Sequence, residues 1–176
     1  MDHLPALLAA LPALDRGEEV PGPWRLRRAG ALDLDGADGC LLEDPEGGGS
    51  YGFGGGTAYL VLDGDRADPS VLALLLHHGD TPPVVAGEDG DAVDTDSGVL
   101  ALHALPPAAL AALHERAAAA RSGAGPADGG FAEGWLMLPD RAAGGPALVL
   151  LVERDGYRLV PVLDAAGRVT AALVHR

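Results

Sequence analysis

Apolar residues recur along this chain in two rhythms, and the rhythms divide it into elements. Leu4, Leu7, Leu8, Leu11 and Leu14 fall at helical spacing and predict a short helix over Leu4 to Asp15 with one leucine face against the body. Strands are expected at Trp24 to Arg28, Ala31 to Leu34 and Cys40 to Glu43, punctuated by Gly30, Gly36 and Gly39. Residues Asp44 to Gly56 carry Pro45 and seven glycines, which leaves almost nothing to pack and predicts a flexible loop. A hairpin follows, with strands near Thr57 to Asp63 and Val71 to His77. Gly87 to Asp91 reads as a solvated acidic turn, and Ser97 to Leu102 as a strand.

Pro106-Pro107 opens the longer of two helices, Pro107 to Arg121, because the first helical turn needs no donor from proline. Ser122 to Gly130 is expected to be a flexible link. Strands at Trp135 to Leu138, Ala147 to Glu153, Tyr157 to Leu163 and Val169 to Val174 complete the pattern. The last two form a hairpin around Asp164-Ala165-Ala166-Gly167, and Tyr59 to Asp63 repeats Val160 to Asp164 in outline. Many strands with two helices, not alternating as βαβ units would, predict an α+β fold built on antiparallel sheet.

Composition narrows the class. A chain of 176 residues is long enough for one domain with a core and too short for two ordinary ones, so residues 1–176 are read as a single domain. With 48% hydrophobic and 4% aromatic residues, the core must be mostly Leu, Val and Ala. All 12 basic residues are arginine, and Lys, Asn, Gln and Ile are absent, a pattern of codon usage that carries no function. The formal net charge of −14 repels phosphate backbones and anionic membrane surfaces, so neither nucleic acid nor membrane is an expected partner. The same field favours encounter with a basic protein. The lone Cys40 forms no internal disulfide, and the amino-terminal apolar stretch has no basic flank. A cytoplasmic, bacterial, soluble protein is expected; the oligomeric state is not encoded in any of these features.

No fragment carries a reaction. Gly48-Gly49-Ser50-Tyr51-Gly52 matches the spacing of a nucleophile elbow but lacks the strand before and the helix after the serine. The glycines at Gly52 to Gly56 cannot serve a P-loop in a chain without lysine. Asp63, Asp65 and Asp68 share one turn, and Asp89, Asp91, Asp94 and Asp96 fall within eight positions, yet neither run has the ligand spacing of an EF-hand. Adjacent His77 and His78 point to opposite faces of a strand. Ser97, His103 and Asp94 could be assembled on paper into a triad, but sequence proximity is not geometry. No catalytic residue, metal or cofactor is therefore assigned.

The order of the pieces resembles a family. Pro83-Val84-Val85, an acidic turn and Ala92-Val93-Asp94-Thr95-Asp96-Ser97-Gly98-Val99-Leu100-Ala101-Leu102 are similar to a segment of the bacterial domain of unknown function 4241 family. In that segment a V-D-x-G-x-G-like motif precedes a short apolar strand and a helix. The closing Asp155-Gly156-Tyr157 to Val174, with its Asp-x-x-Gly-Arg turn, resembles that family's final hairpin, and Gly30 to Pro45 its early segment. Here Asp96 or Ser97 stands where the motif has glycine, His103 where it closes with an acid, and His175-Arg176 where the chain usually ends in Asp-Phe. The resemblance implies an antiparallel β-rich fold, no established activity and no catalytic residue.

Two functions are then expected in competition. The first is a non-catalytic binding module, in its concrete form an immunity-type protein that masks a basic toxin, with Asp89, Asp91, Asp94 and Asp96 imitating phosphate charges. The second is a small-ligand-binding protein or an enzyme whose site forms where the Asp94 to Gly98 turn, with Ser97, meets the Asp155-Gly156-Tyr157 turn.

Overall fold

The computed structural model describes residues 3–32, 40–47, 49–63, 70–88, 90–122, 131, 133–138, 146–154 and 156–176. Helix α1 spans Leu4–Asp15 and is followed by β1 (Arg25–Leu32), β2 (Cys40–Glu43), β3 (Ser50–Phe53), β4 (Gly56–Leu62) and β5 (Val71–His77). Next come β6 (Val85–Ala86), β7 (Asp91–Val93), β8 (Val99–His103), helix α2 (Pro107–Arg121), β9 (Trp135–Leu138), β10 (Ala147–Leu151), β11 (Tyr157–Leu163) and β12 (Val169–His175). Every strand pairing is antiparallel, so the chain is α+β, as the pattern predicts.

The strands form two sheets. The larger runs β1-β4-β5-β12-β11-β6, with β7 also on β11, and the smaller runs β3-β2-β8-β10-β9. Period-two alternation of the strand residues then sorts the apolar side chains into three layers. Leu60, Leu62, Leu74, Leu76 and Val174 of the large sheet meet Leu42, Leu100, Leu102, Leu148 and Leu150 of the small one. The other face of the large sheet, through Tyr59, Val61, Leu75, Val162 and Leu173, packs under Leu4, Leu7, Leu11 and Leu14 of α1. The other face of the small sheet, through Val99, Ala101, Val149 and Leu151, packs under Leu113 and Ala117 of α2. The result is a four-layer α–β–β–α sandwich.

The two hairpins that echo one another in sequence, β4–β5 and β11–β12, lie side by side in the large sheet, joined by β5 to β12. Three expectations need correcting. Asp44 to Gly56 is not all loop, because Tyr51 and Phe53 alternate with Ser50 and Gly52 and pair as β3 with β2. Trp24 to Arg28 and the start of the next expected strand merge into one, β1, whose pairing with β4 shifts register between Arg28 and Gly30. Asp91 is not turn; it opens β7, which pairs with Tyr157 to Leu159. Residues 123–130, expected as a link, lie outside the described residues.

Candidate functional site

The Asp94–Gly98 turn is built around a buried carboxylate from another part of the chain. Asp44, 2% exposed, accepts from the Glu46 N–H at 2.8 Å through Oδ1 and from the Ser97 N–H at 2.8 Å through Oδ2. Gly47 presses so closely on this turn that a Cβ there would stand 2.6 Å from Asp94 Oδ2. Asp94 Oδ1 in turn accepts the Asp96 N–H at 3.2 Å, and the Ser97 hydroxyl closes a local loop with the backbone of Val99. Gly98 takes φ +74°, a left-handed conformation suited to glycine. Its carbonyl accepts from Arg121 Nη1 at 2.7 Å, and the same nitrogen donates to the Val152 carbonyl, which fastens the end of α2 to the small sheet.

Among the residues expected at a site, the structure therefore spends Asp94 and Ser97 on the fold, while Asp96 is exposed beside them on the same turn. Tyr157, expected at the site or packed on the sheet, is 2% exposed, its hydroxyl donates to the Val71 carbonyl at 2.6 Å, and burial pushes its pKa up to about 12. Asp89 and Asp155 lie outside the described residues. The paper triad does not form. His103 is buried, its Nδ1 accepts the Leu105 N–H at 3.1 Å and its Nε2 lies 3.1 Å from Glu43 Oε1. An N–H donated to Nδ1 fixes the Nε2–H tautomer, so both ring nitrogens are occupied with structural partners.

Asp91 stands apart from that turn. It is exposed, and its register opposite Leu159 places it on the face of the large sheet that looks toward the small one. There the small sheet stops at β3, leaving a cleft of about 420 Å³ lined by Phe53, His78, Asp91, Leu159, Pro161 and Ala172, with Val169 also at its border. Tyr51 on β3 donates to the Ala92 carbonyl at 2.7 Å and ties the two sheets together beside the cleft. Pro161 is tolerated in the middle of β11 because its nitrogen faces the gap between β6 and β7, where the Gly87 N–H donates to its carbonyl at 2.8 Å. Desolvation, followed by the neighbouring His77, lowers the pKa of His78.

None of the residues Asp94 to Gly98, nor Tyr157, lines this cleft. Reasoning from sequence missed it because its floor comes from strands that pair only in the folded chain. Among the described residues, no group of three or more His, Cys, Asp or Glu could hold a metal ion, and no helix is long and apolar enough to cross a membrane. No family model matches the chain, and no curated protein or solved structure is similar to it.

Proposed function

We propose that this protein is a non-catalytic binding module for a basic protein partner, of which an immunity-type protein masking a basic toxin is the concrete form. The observation that carries the reading is the division of its carboxylates within a chain of net charge −14. Asp44 and Asp164 are buried and bonded inward, whereas Asp80, Glu88, Asp91 and Asp96 are exposed on the turns and short strand along one stretch of chain. Exposed carboxylates in such number steer a cationic surface into contact and fix its register more than they set final affinity. Among the described residues, His103 and Ser97 are each bonded within the fold, so the triad drawn from them lends no support to an enzyme. Membership of the domain of unknown function 4241 family is proposed alongside, on the Asp94 to Gly98 segment and the closing hairpin; it adds no residue to the site.

The test is capture of partners from the native cell on the immobilised protein, followed by elution in rising salt. A basic protein released over a narrow rise in ionic strength, and no longer held when Asp80, Glu88, Asp91 and Asp96 are changed to their amides or glutamine, supports the reading. Capture that ignores salt, or that survives in the neutralised variant, contradicts it.

A further inference from the structure

The cleft at the β3 edge borders the acidic surface at Asp91 and adds an apolar floor to it. Its floor is apolar: Leu159 and Pro161 on β11 alternate onto one face, and Ala172 on β12 is the cross-strand partner of Pro161. Val169 extends this floor outward, and in register across β11 it meets Leu163, itself opposite Val85, which is 52% exposed. Among the described residues, the polar side chains of the lining are His78 and Asp91. His78 has its pKa lowered by desolvation and by His77, and Asp91 is an exposed carboxylate. Arg158 alternates onto the opposite face of the sheet from Leu159 and donates to the carbonyl of Gly90, a lining residue beside Asp91, and Arg168 is held by Asp164 at 2.8 Å. Phe53 adds an aromatic ring to the same wall.

An apolar trough with one carboxylate and one aromatic ring has the makings of a site for an organic ammonium ion. The carboxylate attracts the cation, and the apolar floor with the Phe53 ring removes its hydrocarbon body from water. An anion would meet Asp91 with no cationic side chain in the lining, and a neutral molecule would gain nothing from that carboxylate. The volume, about 420 Å³, lies within the range of small-molecule sites, roughly 300–1,000 Å³. We infer that the cleft between β3 and the β11–β12 hairpin binds a small amphipathic amine, its ammonium group at Asp91 and its hydrocarbon chain along Leu159, Pro161, Ala172 and Val169. The inference shares Asp91 with the surface proposed for the basic protein partner, but it needs neither Asp80, Glu88 and Asp96 nor a second macromolecule, so binding of a small amine to the isolated protein tests it separately.

Three probes of one shape separate the contributions: hexylammonium, hexanol and hexanoate, titrated into the whole protein at neutral pH and followed by the NMR methyl signals of Leu159 and Val169. Hexylammonium is expected to give saturable shifts at these methyls, hexanol to bind about tenfold more weakly, and hexanoate more weakly still. Asp91→Asn should bring hexylammonium down to the hexanol level, with His78 ring signals otherwise in place. Val169→Arg, at an exposed position that leaves the core intact, should reverse the order and favour hexanoate. Equal binding of all three probes, the absence of a saturable shift with hexylammonium, or an unchanged order in Val169→Arg each overturns the inference.

Discussion

The Asp164 turn and the Asp91 rim lie at the two ends of one strand, β11, and use the same side chain in opposite ways. Asp164 is 5% exposed and takes the Ala166 and Arg168 N–H groups on Oδ1 at 2.8 and 2.9 Å, with Thr81 Oγ1 and Arg168 Nε on Oδ2 at 2.7 and 2.9 Å. Asp91 is exposed at the border of an apolar cleft. The difference teaches how to read an acidic chain: net charge says nothing about where recognition happens until the carboxylates that build turns are set aside. Asp44 belongs with Asp164, and Asp91 and Asp96 belong with the surface.

The strongest way to break this division is at Asp44. Asp44→Ala strands the Ser97 and Glu46 N–H groups and is expected to cost about 3 kcal/mol in urea unfolding, with partner capture unchanged in the fraction that remains folded. A smaller loss, about 2 kcal/mol, is expected for Gly98→Ala, since a Cβ at φ +74° would also stand 2.6 Å from Arg121 Nη1 and displace its bonds. An unaltered unfolding midpoint in that variant would mean that Arg121 does not hold the end of α2.

Acid sharpens the comparison. Hydrogen bonds from the Arg168 backbone and from Thr81, aided by the Arg168 guanidinium, hold the Asp164 carboxyl well below the usual aspartate range. A carboxyl lowered in the folded state contributes stability that is complete above the unfolded value, near 4, and is lost as pH falls below it. Wild-type stability should therefore decline from about pH 4 downward, more steeply than that of Asp164→Asn, whose side chain does not titrate. Matching acid profiles of the two proteins would remove Asp164 from the structural group. At the other end of the scale, Asp91→Asn should leave stability within about 0.5 kcal/mol of wild type by thermal unfolding.

How far the sequence carries these conclusions varies by element. Leucine spacing and Pro106-Pro107 place α1 and α2 at Leu4–Asp15 and Pro107–Arg121, and alternation places β2, β9 and β11 within the same bounds that the structure shows. Turn chemistry around Asp164, Gly167 and Arg168 was legible because every partner but Thr81 lies within four positions. The short strands β3, β6 and β7 were not, since glycine-rich or two- to three-residue segments become strands only through partners supplied elsewhere. Asp44 was illegible for the same reason: its role depends on Ser97, 53 positions away. The cleft arises because the small sheet ends at β3 beside the open face of β11 and β12, a relation between sheets that no local pattern records.

The most direct measurement compares two variants that each remove one negative charge from opposite classes, Asp91→Asn and Asp44→Asn, in the salt concentration needed to elute the captured basic protein. The account predicts that Asp91→Asn elutes at lower salt with wild-type stability, whereas Asp44→Asn elutes as wild type but unfolds earlier in urea. Elution of Asp91→Asn at the wild-type salt concentration, or a common shift in both variants, would contradict the claim that the exposed carboxylates recognise and the buried ones build.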